Sequence, residues 1–212
     1  NAEQNLKNAK ELFESYLQGV FENGNWGTKT LNQISENLDS KRVPITKNKR
    51  KSGDIPYYGA SGIVDYVADY LFDEDLLCVS EDGANLLART YPIAFSISGK
   101  TWVNNHAHVL KFPNVITQKF VEAYINSIRI DDYVSGMAQP KLNQKMLNKI
   151  PIPVPSLENQ QTIVRQLDAL RAETQKLEAV YQKKMDDLEE LKKSILQKAF
   201  AGELETEKAV AV

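Results

Sequence analysis

The chain contains one cysteine, Cys78, and two histidines among 212 residues. A lone thiol closes no internal disulfide, and a chain that stands without one fits a reducing, cytoplasmic compartment. No uninterrupted apolar run approaches ~18 residues, which excludes a transmembrane helix. The opening Asn1-Ala2-Glu3-Gln4-Asn5 has no basic segment followed by an apolar one, so no signal peptide is visible. It also lacks an initiating Met, and the chain is expected to be a fragment or a processed product. Neither sign of charge dominates: 26 Lys+Arg oppose 28 Asp+Glu. With 42% hydrophobic and 25% charged residues, the composition is that of a globular protein and not of a disordered tail or fibre.

Signatures of catalysis are missing as well. There is no G-x-x-x-x-G-K-S/T, no G-x-G-x-x-G, no G-x-S-x-G and no Asn-Pro-Pro-aromatic motif. Ser98-Gly99-Lys100-Thr101 has the ending of a phosphate loop without its earlier glycine. His106 and His108 lie two apart on an expected strand and would face one side, but no third ligand accompanies them. Glu81-Asp82 has no lysine at a nuclease spacing and reads as the turn Ser80–Gly83. The expectation is a chain with no catalytic residue, no metal and no cofactor.

What is present changes character twice. Leu6, Ala9, Phe13, Tyr16 and Val20 recur at spacings of three and four, which predicts an amphipathic helix over residues 1–22. Asn23-Gly24-Asn25 stops it, since both residue types tolerate left-handed backbone. Residues 26–156 mix short apolar runs with Gly, Pro, Asn and Asp. Strands are expected at Gly62–Tyr66, Leu76–Ser80, Pro92–Ser98 and His106–Phe112, and helices at Thr117–Ile128 and Asn143–Ile150. That is an α+β, sheet-rich domain.

Ile150-Pro-Ile-Pro-Val-Pro155 then forms an extended strap, because alternate prolines fit neither a helix nor a central strand. From Leu157 to Phe200 there is no Pro and no Gly. Heptad positions fall on Ile163, Leu167, Leu170, Thr174, Leu177, Tyr181, Lys184, Leu188, Leu191 and Ile195; eight of these ten are apolar or aromatic. This is a coiled-coil arm, residues 157–201, whose narrow apolar stripe needs a partner helix; residues 202–212 read as a flexible tail. Charge follows the division. Residues 26–156 hold 15 basic against 13 acidic side chains, and the remainder of the chain 11 against 15.

Inside the domain, Lys41, Arg42, Lys47, Lys49, Arg50 and Lys51 occupy eleven residues without an acid. Such a run is either a solvated loop or a contact for phosphates, where it would release counterions. Four further stretches put polar and aromatic groups among turns: Ser52–Gly62, Gly83–Asn85, Lys100–Asn105 and Gly136–Asn143. Amides can read adenine edges, and lysines guanine or phosphate. The resulting DNA candidates are Lys47, Lys49, Arg50 and Lys51 for phosphates, with Tyr57, Tyr58, Ser61, Gln139, Lys141 and Asn143 near bases. The plainer reading makes Tyr57, Tyr58 and Trp102 core, and the aromatics fit it better.

Taken in order, the motifs resemble one half of the specificity (S) subunit of type I restriction–modification systems. The resemblance rests on Gly53-Asp-Ile-Pro-Tyr-Tyr-Gly-Ala-Ser-Gly62 and Asn104-Asn-His-Ala-His-Val109. It rests further on Gln139-Pro-Lys-Leu-Asn143 running into Ile150–Gln161, on Leu191–Leu204, and on Asn8–Leu17 ahead of the domain. It implies a target-recognition domain at 26–156 that reads one half of a split double-stranded DNA site. It also implies long helices that space two such domains and carry other subunits: methyltransferase (M) subunits, which use S-adenosylmethionine, and a restriction (R) subunit. Only one recognition domain is present here. The chain is therefore half of a longer subunit or a short form that pairs with itself. A homodimer is expected through Leu157–Phe200, using Ile163, Leu167, Leu170, Leu177, Tyr181, Leu188, Leu191 and Ile195, with Leu6–Phe21 packed alongside. The competing class is a coiled-coil adaptor that reads no DNA.

Overall fold

A computed structural model describes residues 2–136 and 138–203. The expected tail thus lies outside the described residues from 204 onward, as do the side chains of Leu6, Ala9 and Phe13 on the first helix. Contacts divide the chain into two units, residues 17–167 and residues 1–16 with 168–212.

The unit formed by residues 17–167 is built on three small sheets. In chain order its elements begin with the end of helix α1 (Ala2–Asn23), then β1 (Thr28–Thr30), α2 (Leu31–Ile34) and β2 (Glu36–Asn37). Next come β3 (Ile55–Gly59), β4 (Gly62–Val67), β5 (Phe72–Asp73), β6 (Leu76–Ser80) and α3 (Asn85–Ala88). The strands β7 (Ala94–Ile97), β8 (Lys100–Val103) and β9 (Ala107–Lys111) precede α4 (Val115–Ser127). The series closes with α5 (Gln144–Leu147), β10 (Pro151–Pro153) and the start of α6 (Leu157–Ala201).

One sheet has the order β2-β9-β6-β7 and is antiparallel throughout. The second, β4-β3-β8-β5, contains one parallel pair, β3 with β8. The strand β6 explains why they stack. All five of its residues are buried, as expected of a strand covered on both faces. Alternation sends Leu76 and Cys78 into a cluster with Leu38, Phe72, Ile97, Val103, Ala107 and Val109, against which Tyr58 and Phe95 pack. That cluster draws on both sheets. Helix α4 supplies Phe120, Val121 and Ile125 to the core, and its Gln118 donates to the Leu76 carbonyl at 3.1 Å.

Local chemistry sets the ends of α4. Asn114 caps it by accepting the Thr117 amide at 2.8 Å, so the helix starts earlier than its apolar periodicity suggests. At the far end Arg89 donates to the carbonyls of Ile125, Asn126 and Ile128 at 2.8–3.1 Å. Asn126 accepts the Ile93 and Ala94 amides and donates to the Ala94 carbonyl, stapling helix to sheet.

Several sequence expectations change form. The stretch 52–62, read as a loop, is strand β3 and the turn into β4, and Lys100–Val103 is also strand. Both carry residues (Gly, Pro, Lys) that propensity assigns to turns, and burial between layers overrides it. The proline strap is extended as expected and pairs on one side only, with β1; its Val154 amide donates to Gly27. The first helix ends at Asn23, but Gly24 does not take the left-handed backbone inferred for it. A Cβ there would meet the Trp26 ring at 2.3 Å. Strand β9 begins at Ala107, so His106 lies in the preceding turn and does not share a strand face with His108.

The compact unit takes in more chain than 26–156. Phe21 makes edge contacts with Phe120 and Tyr124, with centroids 5.4 and 5.1 Å apart. Gln160, Ile163, Val164 and Leu167 of α6 are buried, and Gln160 accepts the Thr117 hydroxyl at 2.9 Å. In the other unit, α6 continues without a break to Ala201. Its full 45 residues span roughly 68 Å at 1.5 Å per residue. No described helix is long and apolar enough to cross a membrane.

Candidate nucleic-acid interface

Three of the polar stretches singled out in the sequence meet, and the fourth adjoins them. The Gly83 amide donates to Pro140, the Leu142 amide to Glu81, and the Glu81 amide to His106, at 2.8–3.0 Å. The turn after β3 joins through Asn104, whose amide donates to Tyr58, and through Ser80, whose hydroxyl donates to Ala60 at 2.5 Å. A concavity of about 420 Å³ opens here, lined by Asp82, Gly83, Ala84, His106, Ala138, Gln139, Pro140 and Lys141. His106 Nδ1 lies 2.8 Å from Asp82.

Beneath this surface runs a chain of charges. His108 is buried, with Nδ1 2.6 Å from Asp39 and Nε2 2.7 Å from the Leu142 carbonyl. Both ring nitrogens therefore face acceptors. Asp39 also accepts the Val109 amide, and Arg42 lies 3.5 Å from it. Arg42 Nη1 donates to Glu81 at 2.7 Å and to Ala107 at 2.6 Å; Lys141 Nζ is 3.2 Å from the other Glu81 oxygen. Burial alone would raise the Asp39 carboxyl. The hydrogen bond and charge of His108, the Val109 amide and Arg42 outweigh it, and the net shift is downward. Glu81 behaves alike: burial pushes up, while Arg42, His108 and Lys141 bring it below its ordinary value.

Asp39, Glu81 and His108 bring ligand atoms within 4.8 Å of one another, close enough for a metal. The guanidinium of Arg42 and the ammonium of Lys141 already neutralise these carboxylates, so the group reads as an ion-pair network.

The sequence candidates divide accordingly. Lys47, Lys49 and Lys51 are exposed on a loop, with Lys41 nearby in sequence. Arg50 is held inward: it donates to Asp65 at 2.8 Å and to Ile45 at 3.0 Å, and lies 4.3 Å over the Tyr57 ring. Arg42, counted in the same basic run, belongs to the buried network. Tyr57 is only 1% exposed and its hydroxyl accepts the Ile45 amide, so it is core and leaves the base-contact set. Tyr58 stacks on Phe95 with centroids 5.8 Å apart, bridging the sheets; burial raises its phenol. Ser61 and Gln139 are exposed. Asn143 is exposed and caps α5 by accepting the Met146 amide at 3.0 Å.

Lysines and polar loops form two patches. The Lys51 carbonyl accepts the Ala68 amide at the open end of the β3–β4 pair, whereas Ser61 sits at its closed end. Six residues of extended chain separate them by roughly 20 Å. Sequence reading missed the Asp82–His106 pair and the network. Apart from Asp39 and Arg42, three residues apart, their partners stand 24 to 70 residues from one another, and no local pattern signals them.

On α6, the heptad positions also divide. Ile163 and Leu167 are buried by this chain's own domain and do not belong to a partner stripe. Leu177, Leu188, Leu191 and Ile195 are 44–55% exposed, and Leu170 and Tyr181 are half-buried.

Polar loops thus gather at one end of two sheets, over an ion-pair network, and a heptad helix follows in the chain. Residues 23–186 match the family described as type I restriction modification DNA specificity domain, and the chain belongs to that family. A putative type I restriction enzyme specificity subunit of Haemophilus influenzae, S.HindORF215P, is 35% identical over 169 residues, covering 80% of this chain and 42% of that protein. Among solved structures, a chain from work on complex assembly and conformational transition of the type I R-M system superposes with a TM-score of 0.75 at 18% identity. It covers 96% of this chain and 54% of that one. The S subunit of a type-I restriction-modification system from M. genitalium gives a TM-score of 0.63 at 16% identity, over 93% and 55%. Both likenesses concern the fold. The chain spans about half the length of these structures, and less of the curated relative.

Proposed function

We propose that this chain reads DNA as one half of a type I specificity subunit, contributing recognition and no chemistry. The observation that carries the reading is the convergence of the turn after β3 with the segments around Gly83, His106 and Gln139 at one end of the two sheets, in a member of a DNA-specificity family. Ser61, Gln139 and Asn143 face bases together with Asp82 and His106, and Lys47, Lys49 and Lys51 neutralise phosphates. The head reads one half of a bipartite site. Methyltransferase and restriction subunits dock on the assembly, in the cytoplasm.

The exposed row Leu177, Leu188, Leu191 and Ile195 supports pairing of α6 with the same helix of a second copy, with α1 alongside. Such a dimer presents two identical readers and prefers a symmetric, interrupted site. Light scattering at micromolar concentration tests it: a monodisperse monomer refutes the pairing.

For DNA reading, the decisive experiment is methylome sequencing of cells expressing this chain with its methyltransferase subunit. One methylated bipartite motif that depends on the chain supports the proposal. Complex formation with methyltransferase but without any motif favours the adaptor reading, which the same exposed heptads accommodate.

A further inference from the structure

We propose that the ion chain His108–Asp39–Arg42–Glu81–Lys141 is a positioning device that holds the 135–143 loop so that Gln139 is presented to a base. Lys141 serves this clamp and not the DNA backbone. The proposal deepens the DNA-reading function above and rests on it.

The loop is tightly constrained on the inside. Ser135 and Lys141 exchange amide–carbonyl hydrogen bonds at 2.7 and 2.9 Å. Gly136 adopts φ +82°, and a Cβ there would meet the Gln139 carbonyl at 2.5 Å. Leu142 is fully buried; its amide donates to the Glu81 carbonyl and its own carbonyl receives His108 Nε2 at 2.7 Å. The two anchors at Leu142 lead back to Glu81 and His108.

From there the network connects three more segments: Asp39 and Arg42 before β3, Glu81 after β6, and His108 in β9. Burying so many charges costs desolvation that apolar residues would avoid, so stability alone does not explain them. What they provide is one allowed geometry, since each carboxylate oxygen already has a cation, an amide or the His108 ring nitrogen at 2.6–3.2 Å. Lys141 is the outermost link, with half its side chain exposed (53%), two residues from Gln139. Its ammonium is thereby directed into the network. An amide reads a base only within hydrogen-bond distance, so a loop tip displaced by an ångström stops discriminating.

The test uses the full chain and a randomised duplex library, with variants Lys141→Met, Lys141→Arg and Glu81→Gln. Lys141→Met keeps the aliphatic stem and leaves the buried part of the network intact, so it reports even where Glu81→Gln fails to fold. The clamp requires that Lys141→Met lower the preference for the selected site over single mismatches about tenfold, with the salt slope unchanged. Lys141→Arg should restore the preference. Combining Lys141→Met with Glu81→Gln should cost no more than the worse single change, because both break one link. Without DNA, hydrogen exchange at the Lys141 and Leu142 amides should quicken about tenfold in both single variants.

The clamp is overturned where Lys141→Met weakens all sequences alike and flattens the salt slope by about one, the mark of a phosphate contact. Unchanged discrimination or unchanged exchange overturns it equally. Failure of the unmodified chain to select any sequence instead sinks the DNA-reading function, and exchange then judges the clamp by itself.

Discussion

Replacing Lys47, Lys49 and Lys51 together with alanine should flatten the salt dependence of binding to random duplex DNA. Of the four cations expected at phosphates, these three are exposed and form no ion pair within 4 Å among the described residues, while Arg50 is turned inward to Asp65. Each phosphate neutralised contributes about 0.9 to the slope of log K against log salt, so the triple change should remove about 2.7. Between about 50 and 200 mM salt, a fourfold change, those contacts account for an affinity loss of about 40-fold. Arg50→Ala makes the contrast. It should leave the slope intact and lower the melting temperature, because the Asp65 pair and the stacking on Tyr57 are lost together. The assay is fluorescence anisotropy at four salt concentrations, with thermal melting beside it. A triple variant that retains the parental slope, or an Arg50 variant that loses about 0.9, would show the division between loop and scaffold to be mistaken.

Three further outcomes test the fold. Asp39 and Glu81 have carboxyls held below their ordinary values, so the stability they contribute is present above those values and is lost as pH falls through the lowered ones; Asp39→Asn should shrink this acid-side loss in urea midpoints measured from pH 6 down to about 3. Asn126→Ala strands the Ile93 and Ala94 amides and the Ala94 carbonyl, and should cost about 2–3 kcal/mol in denaturant unfolding with an unchanged m-value. Cys78 is fully buried and burial pushes its thiol far up, so a thiol reagent should label it only at the rate of unfolding; rapid labelling of folded protein would contradict the packing around β6.

How much was legible depended on the range of the signal. Leu76–Ser80 is a continuous apolar run and appears as a strand with the expected ends. The break-free stretch after the proline strap is one helix, since nothing in it interrupts 3.6-residue periodicity. Ile55–Gly59 and Lys100–Val103 escaped notice because their strand character comes from being covered, not from composition. The basic run was visible as charge, yet Arg42 and Arg50 could not be told from their lysine neighbours until Glu81 and Asp65 arrived beside them.

Read alone, the order of residues determined the sheet-rich head, the strap, the heptad helix and the family, all of which rest on patterns repeated within a few residues. Only the tertiary structure decided which cations face outward, which tyrosines are core, and that Ile163 and Leu167 serve the head. It alone brought Asp39, Glu81, His108 and Lys141 into one network. Pairings across 60 to 70 residues are set by how layers stack and where loops cross them, and short-range periodicity carries no record of that.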